Sequence, residues 1–135
     1  MLKNCAGSIL ILCLLFIGSC ALLLSKGSPC SDTAFLRSTA PDSSRTAIIV
    51  EKECGATVSF IRQVVICDGV CSSCTDGTLV TDTEGLGISR LSWENNNTLT
   101  VRYDKEDTKF FTKKSSYQNL AIRYVPLPPK RKALP

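Results

Sequence analysis

A chain of 135 residues with a formal net charge of +4 fits one small domain once its apolar N-terminus is set aside. Eleven basic and twelve acidic side chains fall between Gly27 and Pro129, so the positive excess comes from Lys3, Lys26 and the tail Lys130-Arg131-Lys132. A folded part so close to neutral argues against a nucleic-acid-binding face, and the absence of histidine removes His-based zinc sites, Ser-His-Asp and Cys-His triads and haem attachment together.

Ala6 to Ser25 is a run of 20 residues without a charge. As a helix rising about 1.5 Å per residue it spans about 30 Å, the thickness of the hydrocarbon layer. In lipid only a helix satisfies its backbone amides. Lys3 and the N-terminal amine favour an N-inside orientation, a preference that Lys26 weakens. Three fates are open for residues 1–26. An uncleaved signal-anchor explains why the run continues through Ala21-Leu22-Leu23-Leu24. A cleaved secretory signal has an apolar core of about 7–15 residues, shorter than this one. A lipoprotein is the third, because Ile17-Gly18-Ser19-Cys20 looks like a lipobox with Cys20 as the acylated residue. Otherwise Cys5, Cys13 and Cys20 read as small apolar filler.

Residues 27–45 are rich in Ser, Pro, Asp and Thr and read as a linker running into a turn at Ala40-Pro41-Asp42-Ser43. Thr46 to Lys52 reads as a strand, Glu53-Cys54-Gly55-Ala56 as a corner with Gly55 free to take a positive φ, and Thr57 to Cys67 as a second strand. Apolar residues on both faces place that second strand centrally in a sheet. Asp68 to Gly77 is a loop, Thr78-Leu79-Val80 a short strand, and Glu84-Gly85-Leu86-Gly87 a Gly-rich loop. Leu91-Ser92-Trp93-Glu94 and Thr98 to Tyr103 form a hairpin around Asn95-Asn96-Asn97, whose residues tolerate the left-handed conformation. With Glu94 facing Thr98, Trp93 faces Leu99 and Leu91 faces Val101, so the four apolar residues share one face. That arrangement makes Trp93 a core aromatic. Lys105-Glu106-Asp107 is a charged turn, Phe110-Phe111 adds a strand, and Leu120 to Tyr124 alternates as the last one. Val125 to Pro135 reads as an extended, disordered tail. The expected fold is therefore mainly β: an N-terminal transmembrane or signal helix (1–26), then a small antiparallel β domain over 46–125. It is a meander or sandwich of about 5–7 strands, and 126–135 form the tail.

Cys30, Cys54, Cys67, Cys71 and Cys74 follow the leader, a density ordinary for an exported domain and high for a reducing cytosol. The Cys67-x3-Cys71-x2-Cys74 cluster has three readings. A structural disulfide needs only an oxidising compartment. A four-cysteine zinc site must recruit Cys54 or Cys30 and lacks a second paired knuckle. A redox Cys71-Ser72-Ser73-Cys74 needs a helix start, where Thr75-Asp76-Gly77-Thr78 reads as a turn. Five is odd, so two bridges leave one thiol over.

Pro41-Asp42, Ala47-Ile48-Ile49-Val50, Glu53-Cys54-Gly55-Ala56-Thr57 and Gln63-Val64 resemble a bacterial family of small exported or membrane-anchored proteins of unknown function. Its pattern has a Pro-Asp-Gly turn, a Cys-Gly-Ala-Thr motif, and Trp and Tyr strands like those at Trp93, Tyr103 and Tyr124. The resemblance covers roughly Cys30 to Tyr124 and implies a Cys30–Cys54 bridge, worth on the order of 3 kcal/mol by loop entropy. The chain departs from the pattern at Ser43, where the family has Gly and a type I turn tolerates Ser, and at Cys67, Cys71 and Cys74. No activity follows from it.

The expected function is non-enzymatic: an anchored extracytoplasmic β module with a structural or interaction role in the envelope. Its partners are the membrane and another envelope protein. No cofactor, metal, nucleic acid or small-molecule substrate is indicated. A thiol or metal role for Cys67–Cys74 is the alternative, as is an envelope lipoprotein acylated at Cys20. Glu51, Glu53, Asp68, Asp76, Asp82 and Glu84 are the acids an enzyme would draw on, scattered as strands and turns ordinarily scatter them. Pro126-Leu127-Pro128-Pro129-Lys130-Arg131 matches a PxxP ligand and Asn96-Asn97-Thr98 a glycosylation sequon; they read as a basic tail and a turn.

Overall fold

The computed structural model describes residues 30–71 and 77–129, so the leader with Cys5, Cys13 and Cys20, together with Cys74, Asp76 and the tail from Lys130, lies outside the described residues. Within them no helix occurs, and the chain forms β1 (Ser31–Thr39), β2 (Arg45–Glu53), β3 (Ile61–Asp68), β4 (Thr78–Glu84), β5 (Ile88–Asn95), β6 (Thr98–Tyr103), β7 (Lys109–Lys113), β8 (Ser116–Tyr117) and β9 (Leu120–Pro126). One sheet has the order β1-β2-β3-β4-β7 and is antiparallel throughout. The other has the order β5-β6-β9-β8, with β6 and β9 parallel.

The two sheets face each other across one core, as their period-two patterns demand. Ala47 and Ile49 on β2, Val64 and Ile66 on β3, and Val80 on β4 meet Ile88 and Leu91 on β5, Leu99 and Val101 on β6, and Leu120 and Ile122 on β9. β3 lies in the middle of its sheet, as its two apolar faces imply. Its other face joins Val65 and Cys67 to Ile48 and Val50 in a second, smaller cluster flanked by Ala34, Cys71 and Leu79. Hydroxyls bridge the layers where apolar contact runs out: Thr81 Oγ1 lies 2.6 Å from the Tyr124 hydroxyl and Thr78 Oγ1 3.1 Å from that of Tyr117. Burial pushes the Tyr124 hydroxyl above its ordinary pKa, against the opposing hydrogen bond from Thr81.

Several expectations are corrected, beginning with the strand map. Residues 27–45 are not all linker, because β1 occupies Ser31–Thr39. It is an edge strand, mostly exposed, so its polar composition hides a pairing made by the backbone and by a few polar side-chain contacts such as Thr39 Oγ1 to Thr46 Oγ1 at 3.2 Å. The strands number nine among the described residues, not about five to seven. The fold is mixed and not purely antiparallel, because the chain leaves β6 for the first sheet as β7 and returns through β8, which brings β9 alongside β6 in the same direction. The tail begins later than Val125: Val125 and Pro126 belong to β9, and Leu127 N–H still donates to the Tyr103 carbonyl at 2.8 Å.

The β5–β6 hairpin keeps its core register, with Trp93 opposite Leu99 and Leu91 opposite Val101. Its loop is shorter than expected. Asn95 pairs with Thr98 around a two-residue Asn96-Asn97 turn, and the extra residue is absorbed as a bulge at Glu94. Asn95 Oδ1 accepts from Asn97 N–H at 2.8 Å, closing the turn without left-handed backbone. The described non-glycine residues with positive φ are Ser43 (59°) and Gln118 (53°). Ser43 is thus not a neutral replacement for glycine, since its place in the turn is left-handed. Asp42 Oδ1 accepts from Ser44 Oγ at 2.6 Å and Ser44 N–H at 3.0 Å, which holds that carboxyl below its usual pKa. Trp93 is half-buried against the core and its indole donates to the Ser38 carbonyl at 3.0 Å, tying the second sheet to β1.

Candidate interaction site at the loop end

Strand directions sort the connections into two ends. The 40–44, 96–97 and 118–119 turns gather at one, where Asp42 N–H donates to Asn96 Oδ1 at 3.2 Å and Arg45 Nη2 to Gln118 Oε1 at 3.0 Å. At the other end lie the loops 54–60, 85–87 and 104–108, together with Cys30 and Leu127. The structure joins Cys30 to Cys54, the pairing the family resemblance implies, so the first described residue is fixed to the β2–β3 loop.

Two features organise this loop end. Arg62, pointing between the sheets from β3, is nearly buried and donates from Nε and Nη2 to Glu51 Oε2 and from Nη1 to the carbonyls of Leu86 and Ile88. Its guanidinium carbon sits 4.0 Å from the centre of the Phe35 ring, a stacking contact suited to a flat cation. The second feature is glycine-dependent. Gly85 N–H donates to the Phe60 carbonyl at 2.8 Å, Gly87 N–H to the Asp107 carbonyl at 3.1 Å, and Asp104 N–H to the Gly87 carbonyl at 2.9 Å. The three loops are thereby sewn together. A Cβ on Gly87 would land on Thr108 Oγ1 and one on Gly85 on the Asp107 carbonyl, and Gly85 also has φ +96°. Thr108 Oγ1, pressed beneath Gly87, is buried and has no hydrogen-bond partner among the described residues.

Above these loops lies a shallow groove of about 610 Å³ lined by Ser59, Glu84, Gly85, Leu86, Glu106, Asp107, Thr108 and Lys109. It runs into a smaller depression of about 290 Å³ walled by Thr57, Val58, Ile61 and Phe111. Glu84 bridges to Lys109 at 3.4 Å, an exposed ion pair that adds little stability. The surface is therefore acidic at its centre and apolar at its rim. Val58, Phe60, Leu86 and Phe111 all stand exposed on or beside it.

The acids singled out from sequence do not converge. Glu51 is committed to Arg62, Asp82 accepts from Gln63 Nε2 at 3.2 Å, and Glu53 and Asp68 end β2 and β3 at opposite ends of the sheet. Of the five that are described, Glu84 lines the groove. Cys67 is joined to Cys71, and Cys74, the second sulfur of the Cys71-first redox reading, lies outside the described residues. Among the described residues no group of three or more His, Cys, Asp or Glu side chains is placed to hold a metal ion. Sequence reasoning missed Arg62; it placed a charged turn at Lys105-Glu106-Asp107 but missed the packing of that loop on Gly85 and Gly87. The Gly85-x-Gly87 spacing carried the signal, since paired glycines mark a backbone that another must approach. No protein family, curated protein or solved structure matches the chain.

Proposed function

We propose that this protein is a non-enzymatic, single-pass membrane-anchored module whose β-sandwich stands on the extracytoplasmic side and acts through its surface as a structural or interaction element of the envelope. The observation that supports it best is the join between leader and domain. The charge-free run from Ala6 to Ser25 is followed within a few residues by Cys30, which is bridged to Cys54. Cross-links of this kind persist where the compartment is oxidising. The side chains with chemical potential favour the same reading: Arg62, Glu51 and the two cystines hold the fold together, and the carboxylates are dispersed.

The test is fractionation of the full chain expressed with its leader, combined with alkylation of intact cells by a membrane-impermeant maleimide before and after mild reduction. The expected result is a chain that stays with membranes under alkaline extraction and takes up more impermeant label after mild reduction than before it, the two bridges leaving one of the five domain cysteines over. Recovery in the soluble cytosolic fraction with every thiol reactive would overturn it. Mass measurement of the N-terminus in the same material separates an intact anchor from a chain acylated at Cys20.

A further inference from the structure

We infer that the loop end of the sandwich rests on the bilayer surface, with Val58, Phe60, Leu86 and Phe111 seated in the headgroup region of the lipid leaflet. This depends on the anchor proposed above and adds to it an orientation and a contact surface.

The first argument is reach. Four residues, Lys26-Gly27-Ser28-Pro29, separate Ser25 from Cys30, and five fully extended steps cover at most about 18 Å. Cys30 is bonded to Cys54 in the 54–60 loop, so the tether ends at the loop end. The 40–44 turn lies a further nine-residue strand away, about 30 Å. A chain held by its leader therefore turns this end toward the lipid. The other terminus agrees, since Leu127 leaves beside Tyr103 at the same end and leads into Lys130-Arg131-Lys132.

The second argument is independent of the leader. The large apolar side chains that stand exposed are Phe35, Val58, Phe60, Val70, Leu86, Phe111 and Val125. Val58, Phe60, Leu86 and Phe111 lie on or beside the three loops of this end, and Val125 is one residue from the end of β9. Phe35 is mid-strand on Arg62, and Val70 alone sits at the turn end. Exposed apolar side chains scattered singly need no explanation, whereas a cluster marks a contact. Aromatic and aliphatic groups of this kind enter the headgroup boundary to a depth of about 5–10 Å. Charge does not choose between lipids. Glu53, Glu84, Glu106 and Asp107 share this end with Lys105 and Lys109, and Lys26 and Lys130-Arg131-Lys132 flank it in sequence. The contact rests on apolar burial, which phosphatidylcholine alone tests.

The experiment uses the full chain in phosphatidylcholine vesicles whose acyl chains are brominated near the headgroup. Phe111→Trp and Val70→Trp are compared with the parent, where Trp93 supplies the baseline emission. The emission added at position 111 is expected to fall about twofold, and that added at position 70 to stay unchanged. Val58→Trp repeats the first measurement should Phe111→Trp lose the native disulfide pattern. Equal quenching at 111 and 70 in a chain that floats with the vesicles overturns the orientation and leaves the anchor standing. A chain that fails to float overturns both.

Discussion

Both bonds from the edge of the Arg62 guanidinium go to a single oxygen, Oε2 of Glu51, at 3.1 Å and 2.9 Å. Arg62 on β3 is opposite Glu51 on β2 in register, so the pair is a cross-strand contact turned inward at the rim of the core. Nη1 then reaches past the first sheet to the carbonyl of Leu86 in the β4–β5 loop at 2.7 Å and that of Ile88 at the start of β5 at 2.6 Å. One side chain thereby holds two strands and a loop. Removing it leaves a partly buried carboxylate and two carbonyls without their donor.

Arg62→Met is expected to destabilise the domain by about 2–3 kcal/mol. That is below the full cost of breaking a buried ion pair because water still reaches Glu51. Glu51→Gln keeps an acceptor oxygen and is expected to cost about 1 kcal/mol. Urea denaturation of both variants and of the double variant measures the coupling; a loss under about 0.5 kcal/mol for Arg62→Met contradicts the role given to it.

The glycines form a graded series. Gly55 has φ +103° with open space around its Cβ position, so Gly55→Ala meets backbone strain alone, about 1 kcal/mol. Gly87→Ala drives a methyl group into Thr108 and the 104–108 backbone, costing about 3 kcal/mol. Gly85→Ala combines both penalties and is expected to be the worst of the three. Thermal midpoints taken together check the order, and an equal effect at Gly55 and Gly87 refutes it.

Ser43→Gly is expected to stabilise the protein. Ser43 holds φ 59°, a conformation that costs a non-glycine residue about 1 kcal/mol. In a domain of this size the gain is a rise in Tm of about 4–8 °C. A fall in Tm shows that the Ser43 side chain contributes more than its backbone strain costs.

The two cystines are expected to differ. Cys30 and Cys54 are 24 positions apart and Cys67 and Cys71 are 4 apart. The loop-entropy argument then gives about 3.5 kcal/mol for the first and about 2 kcal/mol for the second. Paired Cys→Ser variants compared in guanidinium chloride test the difference. A larger loss at Cys67–Cys71 points to packing of the second cluster, where Cys67 is buried.

Much of the interior was legible because it obeys period two. Ala47 to Val50, the doubly apolar β3 and the Leu91, Trp93, Leu99 and Val101 face all lie where their patterns put them. The edges were not. β1 has no fully buried side chain, since this edge strand is held by its backbone partner and by scattered contacts such as Trp93 to the Ser38 carbonyl, Lys52 to Asp32 and Phe35 to Arg62. The parallel β6–β9 pair depends on two crossings between sheets, which no local pattern records. The loop end was half visible: Gly85-Leu86-Gly87 announced a close approach but not that 104–108 makes it. Arg62 lies in a strand whose apolar residues fall on both faces, and nothing local marks it, because its burial follows from partners 11 and 26 positions away.

The bridge between Cys30 and Cys54 also decides how the domain bears a pull. Tension arriving along the chain from the N-terminal side enters at Cys30 and divides there, passing directly through sulfur to Cys54 at the far end of β2. β1 and β2 are antiparallel with Ser31 opposite Glu53, so the rungs that a peeling force would open first are clamped shut. The load is delivered to β2, whose flanks are both hydrogen-bonded within the sheet. A strand with little core of its own is thus spared from unzipping.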